Sequence, residues 1–271
     1  MNRAVFALLL AGLWPAFVLA QVVPAPAAKP AGSIEPLARD FSDALVVSLG
    51  KQIYEQDQRA TVATDVARAN RVDFKAEQIR GWIVVRDAAA ERIRFVREDN
   101  GVFGGAFEVA FVAGAAPKFQ RLGGERLTQE QDGQFRARLR AATGVAEPCS
   151  RQYAFIVLDH PLMDAFLIYA LAKPTEPGSI VIGGHYRFVV SRDGNRGISA
   201  ERMYRTCVTL PANASAGQPS EGVAITHLAS MRPLETHVFL SLFNHIPIFV
   251  STIDGTKWKV DGLSVEAVGK R

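Results

Sequence analysis

Three observations predict an α+β fold, with N-terminal helices followed by a mainly antiparallel sheet that ends in a β-meander. Phe41, Leu45, Leu49 and Ile53 recur at helical spacing in the first folded stretch. From Ile79 onward the period falls to two, as expected of half-buried strands. The last third is a run of apolar segments separated by Asn244-His245, Asp254-Gly255 and Asp261-Gly262, and strands joined by such tight turns must run antiparallel. No βαβ alternation and no internal repeat competes with this pattern.

The chain of 271 residues opens with Asn2 and Arg3, an apolar run from Ala4 to Leu13, and Val18-Leu19-Ala20 before Gln21. A basic start, a short apolar middle and a small-residue exit have the layout of a secretory signal peptide over 1–20, and Pro15 breaks the run before it reaches membrane-spanning length. Residues 21–32 are rich in Pro and Ala without a packing pattern and read as an extended tether. The stretch 33–271 then forms a single α+β globular domain, with a subdivision near 145 as the alternative. The expected address is periplasmic or secreted, with no membrane span in the mature form.

Composition supports a packed core, because 48% of residues are hydrophobic. The formal charge is +4, and the arginines are interleaved with acids, which argues against a nucleic-acid partner. Arg136, Arg138 and Arg140 form the densest cationic patch and read as a solvated helix face. Cys149 and Cys207 are the two cysteines, and in an oxidising compartment an even count favours a bridge. Closing a loop of about 58 residues is worth about 4 kcal/mol in the chain-entropy model.

Along the chain, Ser33 caps and Pro36 falls in the first turn of a helical region spanning about 34 to 70, continuing or restarting near Asp57. Trp82 to Val85, Ile93 with Phe95, and Phe107 with Val109 and Phe111 mark sheet strands, and Asn100-Gly101 is a hairpin turn followed by Gly104-Gly105 at a bulge. Thr128-Gln129-Glu130-Gln131 is a capping box that opens a helix ending at Gly144. Tyr153 to Leu158 and Ala165 to Leu171 are continuously apolar, as central strands buried on both faces are. Tyr186, Phe188 and Val190 point one way, and His185, Arg187 and Val189 the other. The meander is read as Thr236 to Phe243, Ile248 to Ile253, Lys257 to Val260 and Leu263 to Val268.

No P-loop, nucleotide-binding glycine fingerprint, zinc-protease helix or nucleophile elbow is present, and no cofactor is expected. Gly183-Gly184 lets the backbone approach something closely just before His185, which shares a strand face with Arg187. A His and an Arg so placed could bind an anion or act as acid/base and electrophile, and the plainer reading is a face that is hydrated or covered by the Arg-rich helix. His227, His237 and His245, with His160 and His185, could converge on a metal, with Asp159, Asp164 or Glu235 as a further ligand. No pair has a local ligand spacing, so solvated strand residues are the simpler reading. None of the serines sits in a nucleophile motif, and Asn213-Ala214-Ser215 matches a glycosylation pattern that reads as an ordinary loop.

Two functions of different kinds follow. The favoured one is a non-enzymatic envelope module that binds a partner protein or small ligand through an exposed sheet face or edge. The alternative is a hydrolase or metal-dependent enzyme whose site is assembled from His185, Arg187 and the dispersed histidines.

Overall fold

In a computed structural model, the structure describes residues 41–176, 178–211 and 222–270. The expected signal peptide and tether, Ser33, Pro36 and the Asn213-Ala214-Ser215 stretch lie outside them. Helix α1 (Asp43–Ala69) starts at Ser42, whose side chain accepts from the Leu45 N–H, with Asp43 complementing the first turn. It runs through Asp57 without a break, because that carboxylate is buried against Lys173 Nζ at 2.6 Å. Val46, Leu49, Ile53, Ala60, Ala63 and Ala67 give it one long buried stripe.

Strands β1 (Ile79–Arg86), β2 (Glu91–Asp99), β3 (Val102–Phe111) and β4 (Lys118–Arg121) form an antiparallel sheet in chain order. Asn100 and Gly101 both take positive φ at the β2–β3 hairpin, as a type I′ turn requires. Phe95 stacks on Phe107 at 4.5 Å and Phe74 meets both edge-on, filling the side that faces α1.

Helix α2 (Gln129–Thr143) carries the Thr128–Gln131 capping box and ends at Gly144. Its Phe135 packs with Ile83 and Val96 of the first sheet, while Ala137 and Ala141 pack on a second sheet. The arginine patch is not one solvated face. Arg136 pairs with Asp132 at 2.5 Å and Arg140 donates to the Gly194 carbonyl. Arg138 instead lies over the Trp82 and Phe155 rings and donates to the Phe155 carbonyl, and burial lowers its pKa to about 10.

The second sheet has the order β5 (Tyr153–Asp159), β6 (Ala165–Ala172), β8 (Tyr186–Ser191) and β9 (Gly197–Arg202), antiparallel throughout. Strand β6 is buried at every residue, whereas β5 is an outer strand and not the central one its apolar run suggests. Two short strands, β7 (Ser179–Val181) and β10 (Thr209–Pro211), pair beside it. The Cys149–Cys207 disulfide joins the segments before β5 and before β10, with Cα atoms 5.3 Å apart.

The C-terminal part corrects one sequence expectation. Thr236 to Phe243 is not a strand but most of helix α3 (Glu235–Asn244), which crosses between β11 (Val223–His227) and the parallel β12 (Ile248–Thr252). Parallel neighbours require such a crossover. Strands β13 (Thr256–Asp261) and β14 (Ser264–Lys270) complete an antiparallel meander from β12. Helices α1 and α3 cover the face of the second sheet opposite α2, and a Cβ on Gly50 would lie 2.5 Å from Val238 Cβ, so glycine is what lets the two helices meet. The described residues cluster as one compact unit. Among the described residues, no helix is long and apolar enough to cross a membrane.

Candidate functional site

Face alternation on β8 splits the residues singled out in the sequence into two environments. Tyr186 and Phe188 point toward Ala137 and Ala141 of α2. The opposite face, with Arg187, is covered by α3 and Phe41 and is neither hydrated nor roofed by the Arg-rich helix.

Arg187 is almost fully buried. Its Nε and Nη2 donate to Glu201 Oε2 on β9 at 2.8 and 2.6 Å, its Nη1 donates to Glu235 Oε1 at 2.7 Å, and the guanidinium lies 5.0 Å from the Phe41 ring centroid. The Tyr169 hydroxyl donates to the same Glu235 oxygen at 3.0 Å, while Glu235 Oε2 has no hydrogen-bond partner. Burial opposes charge on Arg187, but Glu235, Tyr169 and Glu201 outweigh it and raise the guanidinium pKa. Burial, reinforced by the adjacent Glu235 carboxylate, drives the Tyr169 phenol well above its usual value. Glu235 also sits in the first turn of α3, where the helix dipole favours an anion.

His185 is spent structurally. Its Nδ1 accepts from the Ala172 N–H at 3.1 Å, which leaves Nε2 protonated and donating to the Val181 carbonyl at 3.0 Å. Burial lowers its pKa to about 4, so the ring is neutral at pH 7. The preceding glycines are explained by packing: a Cβ on Gly183 would lie 1.9 Å from the Thr206 carbonyl oxygen, and Gly184, at φ +88°, has the Cys149 side chain where its Cβ would be.

Four of the five histidines are buried, contrary to solvated strand positions. His227, on β11, is fully enclosed, with neither ring nitrogen hydrogen-bonded, and burial lowers its pKa to about 4. His237 lies on α3 rather than on a strand. Its ring meets His227 edge-on at 5.0 Å, and Nδ1 accepts the Leu234 N–H at 2.9 Å. Burial, then the nearby imidazoles of His227 and His185, drives its pKa well below the usual value. The fold thus gathers His185, His227 and His237 near the N-terminus of α3. His245 caps the other end in the left-handed conformation, about 15 Å away by helix rise. His160 accepts from the Leu162 N–H and meets Phe41 edge-on. The carboxylates named as further ligands are engaged elsewhere: Asp159 and Asp164 both hold Arg192, and Glu235 holds Arg187. Among the described residues, no group of three His, Cys, Asp or Glu side chains is arranged to hold a metal ion.

Sequence reasoning did not single out β9. Among the described residues this strand pairs with β8 alone, and Gly197, Ile198, Ser199 and Ala200 are all exposed. Met203 N–H bonds the His185 carbonyl, so ladder alternation puts Glu201 and Ser199 in hydrogen-bonded pairs and turns the N–H and C=O of Ala200 outward. A cleft of about 200 Å³ lies on one face of this edge, lined by Phe41, Met163, Val189, Ile198 and the Arg187–Glu201 pair. On the other face a cleft of about 370 Å³ is lined by Arg140, Gly144, Phe188 and Val190. The small residues of β9 leave both open. Charge guards other outer strands, with Lys118 and Arg121 on β4 and Glu266 and Lys270 on β14, but the middle of β9 carries none.

No protein family model, no curated protein and no solved structure matches the chain.

Proposed function

We propose that this chain is an exported, non-enzymatic binding module that docks an extended segment of an envelope partner along β9. The observation that carries this reading is an outward-facing strand edge with a cleft on each face. Strand addition draws affinity from main-chain hydrogen bonds and specificity from pockets that take alternate side chains, and β9 offers both. The signal-like first twenty residues support export, as does the disulfide, which suits an oxidising compartment.

The enzyme alternative has less support. His185 has both ring nitrogens committed to the backbone, and Arg187 is held by two carboxylates. The approach of His227 to His237 is the one feature in its favour, and metal analysis of protein purified without a histidine tag tests it.

The substitution Ala200→Pro tests the docking edge. It deletes an outward N–H and leaves the β8 ladder intact, a placement proline tolerates on an edge strand. The expected result is an unchanged melting temperature, with loss of the proteins that wild type co-purifies from envelope extract. Recovery of the same set with the variant, or of no reproducible partner with wild type, refutes the reading.

A further inference from the structure

We infer that the segment docked on β9 alternates aliphatic and acidic side chains, the aliphatic ones entering the Phe41 cleft and the acidic ones facing Arg140. This deepens the docking reading and rests on it. Successive residues of an added strand point to opposite faces of the sheet, so the two clefts see different halves of its sequence. The Phe41 cleft has a floor of Met163, Leu167 and Val189, and its one cation, Arg187, is already held by Glu201 and Glu235. An acid placed there would meet the Glu201 carboxylate, whereas an aliphatic group meets the Phe41 ring and this carbon floor, with His160 and Ser199 as the other polar residues of the lining.

The opposite cleft reverses this preference. Phe188 and Val190 form its floor, but Arg140 stands at its side, its Nε donating to the Gly194 carbonyl at 3.3 Å. A carbonyl leaves the cation unneutralised. Arg136 and Arg192, close by in sequence, are by contrast neutralised by Asp132 and by Asp159 with Asp164. Arg140 therefore stands unneutralised on the Phe188 side of the edge.

Fluorescence anisotropy on the intact mature protein tests this with four labelled peptides: alternating Val-Asp, the same with Ser for Asp, the same with Lys for Asp, and a block peptide with all Val before all Asp. Alternating Val-Asp should bind about fivefold more tightly than its Ser counterpart, the size of one favourable partly exposed ion pair, and the gap should close in Arg140→Gln and at high salt. The block peptide should bind at least about tenfold more weakly, because it cannot seat an aliphatic group in the Phe41 cleft without turning another aliphatic toward Arg140. All binding should vanish in Ala200→Pro, whose fold is checked by its melting temperature and intact disulfide. If the Ser and Lys peptides bind as well as Val-Asp and Ala200→Pro abolishes all of them, the docking edge stands and the acidic preference falls. If no peptide binds, if Ala200→Pro binds Val-Asp as wild type does, or if sedimentation shows a dimer that Ala200→Pro dissolves, the proposal is overturned.

Discussion

Lowering the pH from about 7.5 to about 5 loads protons onto the unfolded chain that the native fold refuses at His185 and His227. Both imidazoles have native values of about 4, held down by burial, against an ordinary value of 6.5. Between those limits the unfolded state binds more protons than the native one, so stability falls as pH falls, and the loss levels off below about 4. Each such ring costs about 2 kcal/mol at pH 5 relative to pH 7.5, and the pair about 4. His237 shifts in the same direction and adds to the loss. Against a typical domain stability of about 5 to 15 kcal/mol, this is a large share. Urea unfolding at a series of pH values measures it directly. His227→Phe sharpens the attribution, because both nitrogens of His227 are unpartnered, so an aromatic of similar size forfeits no hydrogen bond. That variant should lose about 2 kcal/mol less than wild type over the same pH interval. A stability that is flat from pH 7.5 to 5, or an NMR titration of the His227 ring near 6.5, would refute the reasoning.

Two further substitutions address what holds the edge in place. Removing Arg187 as Arg187→Ala should destabilise the protein by about 3 to 5 kcal/mol in denaturant titrations, because Glu235 is then buried without its cation. Pairing Arg187→Met with Glu235→Gln should recover much of that loss. Reducing the disulfide, which spans 58 residues, or replacing it as Cys149→Ala with Cys207→Ala, should cost about 2 to 5 kcal/mol and lower the melting temperature. Equal stability with and without a reductant would argue against it.

Local signals in the sequence reached the structure intact, whereas those depending on neighbours did not. The Thr128–Gln131 capping box and the Asn100-Gly101 hairpin are legible because each is satisfied within a few residues. Helix α3 was illegible for the converse reason: Val238, Phe239 and Leu240 are buried beside Glu235, Thr236 and His237, so no polar face marks the helical period and the run reads equally as a strand. Misreading it also hid the parallel β11–β12 pair, since that pairing exists only because α3 crosses over. The approach of His227 to His237 follows from the same crossover, and no spacing in the chain announces it. Strand β9 is an edge only because β8 is its sole partner among the described residues, a fact about sheet order that no window of sequence contains.

The buried charges then take on a different meaning from the one their residue types suggest. Arg187 and His185 resemble catalytic equipment in sequence, but Arg187 grips Glu201 on the inner face of β9 with two donors and ties it through Glu235 to the start of α3. A strand that receives another strand benefits from being rigid beforehand, since every residue it must order on binding subtracts from affinity. Arg187 supplies that rigidity from the side facing the core and leaves the Ala200 N–H and C=O free on the outer side. Its burial, which keeps it from an incoming ligand, is what suits it to fix the position of β9, the edge proposed for docking.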